Sequence, residues 1–320
     1  MTWRASSGVA VARQRADMLE RARRFFRARE VLEVTTPALG RYTATDPNID
    51  SLRIAGHTGR ALFLQTSPEA YMKRLLADGY PDIYAMCRVF RSGEAGRLHQ
   101  PEFTMVEWYR HDFGLSEMIS ETVAFIADLL GQPALLDAAQ LEYGEAFLQF
   151  AGVDPFTAST DDLADAADAD ARLRESIGRN RDAWLDLLLT TRVAPGFDAG
   201  RLTVLRHFPG SQAALARSCP EDEKVADRFE VLFGTTELAN GFVELRDPGE
   251  QRRRMLADIE KRHASGQQPV PVDEPLLAAL ESGLPACAGV AVGFERLLMI
   301  AAGAKDICDV LTFAFDDTDD

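Results

Sequence analysis

The 320 residues carry 35 lysines and arginines against 50 aspartates and glutamates, a net charge of −15. That balance argues against gripping a nucleic-acid backbone, which needs cations to replace phosphate counterions, and no apolar run reaches the length of a membrane helix or forms a secretory leader. With 46% hydrophobic and 27% charged residues, the composition is that of a globular protein with a sizeable core.

Residues 11–30 read as an amphipathic helix, with Met18, Ala22, Phe25 and Phe26 at i, i+4, i+7 and i+8. The seven arginines of residues 13–29 then form a basic face for solvent or for a subunit contact. "VLEVTTPAL" (31–39) follows as a strand that reaches Pro37, a residue suited to an edge or a strand end. "ALFLQT" (61–66) is a second strand. Ser67, Pro68 and Glu69 supply an N-cap, a first-turn proline and an acid at the positive end of a helix over 67–79. Residues 82–91 and 102–110 are β-branched and aromatic-rich, and the polar, glycine-containing loop between them makes a long hairpin. Residues 115–190 read as mainly helical, with "DDLADAADADA" (161–171) a solvated helix or loop that carries no chemistry. Strand character returns over 201–246. "GVAVG" (289–293) is a short strand of small residues leading into a helix from Phe294 to about Ala302, and the acidic tail at 316–320 is expected to fray. With no repeats and no long linker, the expected architecture is a single α+β domain over 1–320. Its largely antiparallel sheet is flanked by helices, with a helical insertion near 150–195.

Four cysteines without a CxxC pair, and five dispersed histidines, read as buried reduced thiols of a cytoplasmic protein rather than as a disulfide or zinc framework. Chemistry concentrates in three other stretches. On the second strand of the hairpin, alternation puts Phe103, Met105, Glu107 and Tyr109 on one face. Arg91 ends the first strand beside the loop, and an arginine fork suits phosphate oxygens. In "RFEVLFGTTELANGFVEL", Glu230, Glu237 and Glu244 recur every seventh residue, a spacing that alternates faces on a continuous strand unless Gly234 and Gly241 reset the register. Carboxylates beside phosphates point to magnesium. In "GVAVGFER", Gly289, Ala291 and Gly293 share a nearly bare strand face, which admits a ligand close to the backbone. Arg296 follows in the first helical turn, where its charge calls for an anionic or stacking partner.

Together these stretches resemble the catalytic core of class II aminoacyl-tRNA synthetases, specifically the lysyl type. The first helix plus "VLEVTTPAL" is similar to motif 1, the dimer-forming element, "FRSGEAGRLHQPEF" to motif 2 and "GVAVGFER" to motif 3. "TSPE", "PEFTMVEWY" and "ELANGFVEL" are lysyl-type signatures, and the likeness spans about residues 10–312. It begins too early to leave room for the anticodon-reading domain of lysyl-tRNA synthetases. In this the sequence is similar to lysyl-tRNA synthetase paralogues that modify elongation factor P. The resemblance implies a homodimer that uses ATP and Mg²⁺ to activate β-lysine or lysine as an aminoacyl-adenylate, with elongation factor P as acceptor and no tRNA or membrane partner. Charging of tRNA or another amine with lysine is the alternative.

Carried over by position, the resemblance gives Arg91 the α-phosphate of ATP, stacks adenine between Phe103 and Arg296, and sets His99 by the triphosphate. Ser92, Gly93, Glu94, Gln100 and Leu238 complete the nucleotide contacts, with Gly293 allowing close approach. Glu230 and Glu237 would hold magnesium. Ser67, Glu69, Glu107, Tyr109, Asn240, Glu244 and Ala291 would line the amino-acid pocket, with Tyr109 and Glu244 meeting the distal amine. Three positions depart from the synthetase pattern. Gly93 stands where motif 2 carries a glutamate, so either Glu94 substitutes after a pivot at the glycine or a backbone carbonyl serves. Gln100 replaces an asparagine. Ala291 replaces a glycine, and one methyl in a tight pocket shifts preference by roughly 1–3 kcal/mol, enough to disfavour α-lysine.

Overall fold

The structure, a computed structural model, describes residues 3–56 and 59–315; the acidic tail at 316–320 lies outside them. Helix α1 (Val9–Arg27) buries Met18, Ala22, Phe25 and Phe26, the stripe expected from its spacing. It ends before residue 30 because Glu30 takes the left-handed conformation (φ 58°) and the Val31 N–H turns back to the Phe26 carbonyl. The expected strand over 31–39 is split into β1 (Leu32–Glu33) and β2 (Leu39–Gly40). Pro37, which has no N–H to donate, lies between them, and the chain passes there from one sheet to another. β2 joins β3 (Arg53–Ala55) and β4 (Ala61–Leu64) in a small sheet of order β2-β4-β3, so "ALFLQT" belongs to that sheet and not to the main one.

Helix α2 (Glu69–Ala77) leads into β5 (Ile83–Phe90), which pairs antiparallel with β6 (Glu102–His111) as the expected hairpin. Helices α3 (Leu115–Leu130), α4 (Tyr143–Phe150), α5 (Thr160–Ala166), α6 (Ala171–Ile177) and α7 (Arg181–Leu188) follow, with β7 (Ala139–Glu142) between α3 and α4. Strands β8 (Leu202–Pro209), β9 (Val225–Phe233) and β10 (Thr236–Val243) return to the sheet. Helices α8 (Pro248–Ala264) and α9 (Glu274–Gly283) precede β11 (Cys287–Gly293) and α10 (Phe294–Ala302). The main sheet has the order β1-β5-β6-β11-β10-β9-β8-β7, antiparallel except for the edge pairs β1–β5 and β7–β8. The α+β, mostly antiparallel class expected from the sequence is the one observed.

One face of this sheet is sealed. Phe26, Trp108, Phe125, Val290, Val292 and Leu298 join α1, α3 and α10 to it in one apolar cluster. The other face is covered only at its sides. Met72, Leu76, Leu277 and Leu280 of α2 and α9 pack against Ile83 and Ala85 of β5. Across the sheet, Phe147, Trp184, Leu185 and Leu188 of the helical insertion pack against Leu205 of β8 and Leu232 of β9. Between these flanks, β6, β11, β10 and β9 form the floor of the candidate site.

Arg15 is not part of a solvated basic face. Its guanidinium donates to the buried Glu295 at 2.9 Å and to Thr104 Oγ1 at 2.6 Å, while Glu295 Oε2 accepts from the Thr104 N–H at 2.7 Å. This clamp fixes α1 and α10 to β6 beneath the floor. Glu295→Ala takes from Arg15 its carboxylate partner, leaving it the Thr104 hydroxyl alone, and leaves the buried Thr104 N–H unpaired; it is expected to cost about 3 kcal/mol, read as a lowered midpoint in urea unfolding.

Candidate active site

Strand register assembles the floor. Directly opposed residues share a face, and one row runs Ala85, Glu107, Ala291, Asn240, Glu230 and Leu205 across six strands. The next row contains Tyr109, Gly289, Phe242 and Arg228. The seven-residue spacing of the glutamates is resolved by the turn at Gly234 (φ 55°) and by a slip in the β9–β10 pairing between Glu237 and Ala239. Leu238 is the inserted residue, so Glu237 opposes Leu232 and faces the same way as Glu230. Gly241 makes no bulge. It stays in register opposite Val290 and Phe229, and glycine is needed there because a Cβ would come within 2.6 Å of the Phe229 ring and 2.8 Å of Val290. Leu238, expected among the nucleotide contacts, turns its side chain into the core, so only its main chain can reach a ligand.

One end of the floor is a buried acidic pocket. Ser67 Oγ donates to Glu107 Oε2 at 2.8 Å and the Tyr109 hydroxyl donates to Oε1 at 2.7 Å. Ser67 Oγ also accepts from the Glu69 N–H at the start of α2. Lys73, one turn along α2 and 1% exposed, places its ammonium 2.6 Å from Glu69 and 2.5 Å from Glu244 Oε2. Burial works against that charge, but Glu244 and Glu69 outweigh it and hold Lys73 above the usual lysine range. Three carboxylates therefore share one ammonium. Burial, reinforced by the charge of Glu69, pushes Glu107 up to about 7 against its two hydrogen bonds. Burial also raises Glu244 to about 8 in spite of Lys73. Glu244 Oε1 is buried and accepts no hydrogen bond. It borders Gly289, where a Cβ would lie 2.8 Å from that oxygen and 2.4 Å from the Tyr109 ring.

The other end is cationic. Arg91, at the mouth of the hairpin, holds its guanidinium carbon 5.2 Å from the Phe103 ring centre, and its Nε is buried without an acceptor. The left-handed turn at Gly93 (φ 76°) brings Glu94 within 3.5 Å of Arg91, while the Ser92 N–H is taken by the Asp50 carbonyl. Arg296 donates to the Glu237 carbonyl at 2.8 Å and lies 2.7 Å from His99 Nε2. Burial first, and then the Arg296 charge, lower the His99 pKa, so a neutral imidazole is the form that accepts from Arg296. Gln100 is buried and engaged elsewhere. Its amide faces Cys308 Sγ, and its oxygen accepts from the Phe315 N–H at 2.8 Å, which anchors the C-terminal segment to the motif 2 loop. At Gly293 a Cβ would meet only Arg296 Cδ at 3.7 Å, so the packing of the chain itself leaves space there.

Glu230 and Glu237 face the same side. Burial and then the neighbouring Glu237 charge push Glu230 up to about 7, although Arg228 donates to it at 2.6 Å. A divalent cation bound between these carboxylates would relieve that repulsion, so the donor set fits magnesium. Arg228 also donates to Asn240 Oδ1 at 3.1 Å and to the Gln212 carbonyl. Neither Arg228 nor Lys73 stands out in the sequence. The available signals were period two, which puts Arg228 on the Glu230 face, and the i,i+4 spacing of Lys73 from Glu69.

A family model for class II tRNA synthetases (D, K and N) matches residues 1–317. The chain belongs to the class II tRNA synthetase family. It is 44% identical over 319 residues to the elongation factor P–(R)-β-lysine ligase of Photorhabdus laumondii, covering 98% of this chain and 97% of that protein. It is 43% identical to the ligases of the same name from Klebsiella pneumoniae, over 98% of both chains, and Proteus mirabilis, over 97% of both. Among the described residues no helix is long and apolar enough to cross a membrane.

Proposed function

We propose that this protein is an ATP-dependent, AMP-forming ligase that activates (R)-β-lysine and transfers it to a lysine ε-amine of elongation factor P. The observation that carries the reading is the polarity of one sheet face. Arg91, whose buried Nε donates to nothing, and Arg296 stand at one end, and a buried carboxylate pocket with an unpartnered oxygen stands at the other. Phe103 and Glu107 are four residues apart on β6, about 13 Å along the strand, a span suited to an aminoacyl-adenylate lying across the floor. The names of the relatives supply the substrate and the acceptor.

In the proposed reaction the amino acid's distal ammonium enters beside Glu244 and Tyr109, which supply a desolvated anion and a phenol oxygen. Its carboxylate oxygen attacks the α-phosphorus of ATP, the bond to the bridging oxygen breaks, and pyrophosphate leaves. Arg91 neutralises charge on the reacting phosphate, and Arg296 holds adenine against Phe103. Magnesium held by Glu230 and Glu237 would screen the charge of the departing phosphates. The acceptor's ε-amine then attacks the adenylate carbonyl, loses its proton and expels AMP. The carboxylate is already a nucleophile, so the site needs no activated serine, cysteine or histidine.

Mass spectrometry of elongation factor P after incubation with the protein, ATP and each lysine isomer tests the reading. The β-isomer should be attached and AMP released; efficient formation of lysyl-tRNA instead would overturn the choice of acceptor. Ala291 lies between Glu107 and Asn240 on the floor. Ala291→Gly is therefore expected to raise the use of α-lysine relative to β-lysine by about tenfold or more, measured as the ratio of pyrophosphate-exchange rates, and an unchanged ratio would remove the methyl as selector. A cytoplasmic homodimer completes the proposal. Leu32 on β1, Leu39 on β2 and Ile54 on β3 are exposed apolar residues, as a subunit contact needs, and sedimentation analysis should give twice the chain mass.

A further inference from the structure

The β8–β9 pairing slips between Arg206 and Phe208, and His207 sits at the slip in the left-handed conformation (φ 61°). Its ring is thereby presented to Asp227 on β9 and to Cys219 in the preceding loop. The ligand atoms of His207, Cys219 and Asp227 all lie within 4.8 Å of one another. The three residues are 12 and 8 positions apart, a spacing that no CxxC or HxxxH pattern marks.

We infer that His207, Cys219 and Asp227 form a binding site for a transition-metal ion of the zinc class, separate from the adenylation site. The imidazole is already set for it. Glu142 Oε2 lies 2.6 Å from Nδ1, where it can hold that nitrogen's proton, and Nε2 lies 3.8 Å from Asp227 Oδ1. A carboxylate on the far nitrogen is the arrangement that orients metal-bound histidines. Asp227 is 4% exposed, and Arg217 holds its Oδ2 at 2.7 Å, leaving Oδ1 towards the imidazole. Cys219 donates its thiol proton to Glu221 at 3.0 Å, so a carboxylate stands ready to take that proton when a metal replaces it.

An imidazole nitrogen, a sulfur and one carboxylate oxygen make a borderline-soft donor set, which selects zinc or cobalt over magnesium. Zinc needs its donors about 3.5 Å apart, a closing of roughly 1 Å that the partly exposed Cys219 loop can supply. The three residues border an open cleft of about 750 Å³ together with Glu142, Arg217 and Glu221. That cleft gives an entry path and room for a fourth ligand, a water or the Glu221 carboxylate. It contains no residue assigned above to ATP, magnesium or the amino acid.

Cobalt(II) titration of the full chain tests the site. One equivalent per chain should produce tetrahedral visible bands and a sulfur-to-cobalt charge-transfer band in the near ultraviolet, both displaced by zinc. Cys219→Ser should remove the charge-transfer band, and Glu142→Gln should weaken binding about 10–100-fold. Pyrophosphate exchange should be unchanged in both variants. Absence of the charge-transfer band in the unmodified protein, or its persistence in Cys219→Ser, would overturn the assignment whatever the stability of the variants.

Discussion

Arg296→Ala is expected to lower ATP–pyrophosphate exchange by about 10²-fold or more, the cost of misaligning a reacting group. The geometry gives Arg296 two tasks. Its guanidinium is expected to cover one face of adenine, and it also ties the motif 2 loop to β10 through the Leu98 carbonyl, His99 and the Glu237 carbonyl. Loss of the side chain therefore frees both the stacking surface and the loop that carries Arg91. Because Arg296 is partly exposed and packs on no apolar cluster, circular dichroism and the unfolding midpoint should stay close to those of the parent. Arg91→Ala should match its loss of exchange with less effect on nucleotide affinity, since Arg91 faces the phosphate rather than the base. Normal exchange in either variant would remove these arginines from the site.

The sequence exposed the strands of this site more readily than its depth. Hairpin β5–β6 and the β11–α10 junction were legible because alternation and small residues are local properties that tertiary packing preserved. The strand expected over 31–39 failed at Pro37, where a local signal was present but its consequence, a change of sheet, depended on distant partners. Glu237 could be placed only once the pairing slip at Leu238 was visible, because a one-residue insertion reverses every side chain beyond it. Lys73 was missed for a related reason. A lysine on an amphipathic helix is ordinarily solvated, and nothing local says that Glu244, far along the chain, waits above it. The same holds for His207, Cys219 and Asp227, brought together by a backbone irregularity. The cysteines expected to be buried are so only at Cys287; Cys87, Cys219 and Cys308 are each partly exposed.

Glu244→Gln is expected to raise the Michaelis constant for the amino acid by about 100-fold, close to 3 kcal/mol, with a smaller change in turnover. The pocket holds Glu69, Glu107 and Glu244 against the single ammonium of Lys73, and a second cation, the substrate's amine, restores the balance. The pH dependence follows from the raised carboxyls. Glu244 sits near 8 and Glu107 near 7, both lifted chiefly by burial, so at neutral pH the empty pocket retains a proton. The substrate cation binds the ionised form. Affinity should therefore climb as pH rises from about 6.5 through 8, and fall again only when the amine itself loses its proton near 10. Binding at pH 7 should release that proton, so the calorimetric enthalpy should vary with the ionisation enthalpy of the buffer. In Glu244→Gln the climb should shrink to the part owed to Glu107. Lys73→Met separates charge balance from shape: it removes the internal competitor for Glu244 but leaves buried carboxylates without a counterion. Weaker folding in the free protein, recovered on adding the diamino substrate, is the expected result. A pH-independent affinity in the parent protein would show that the carboxylates are already ionised, and that the substrate's amine meets no proton when it arrives.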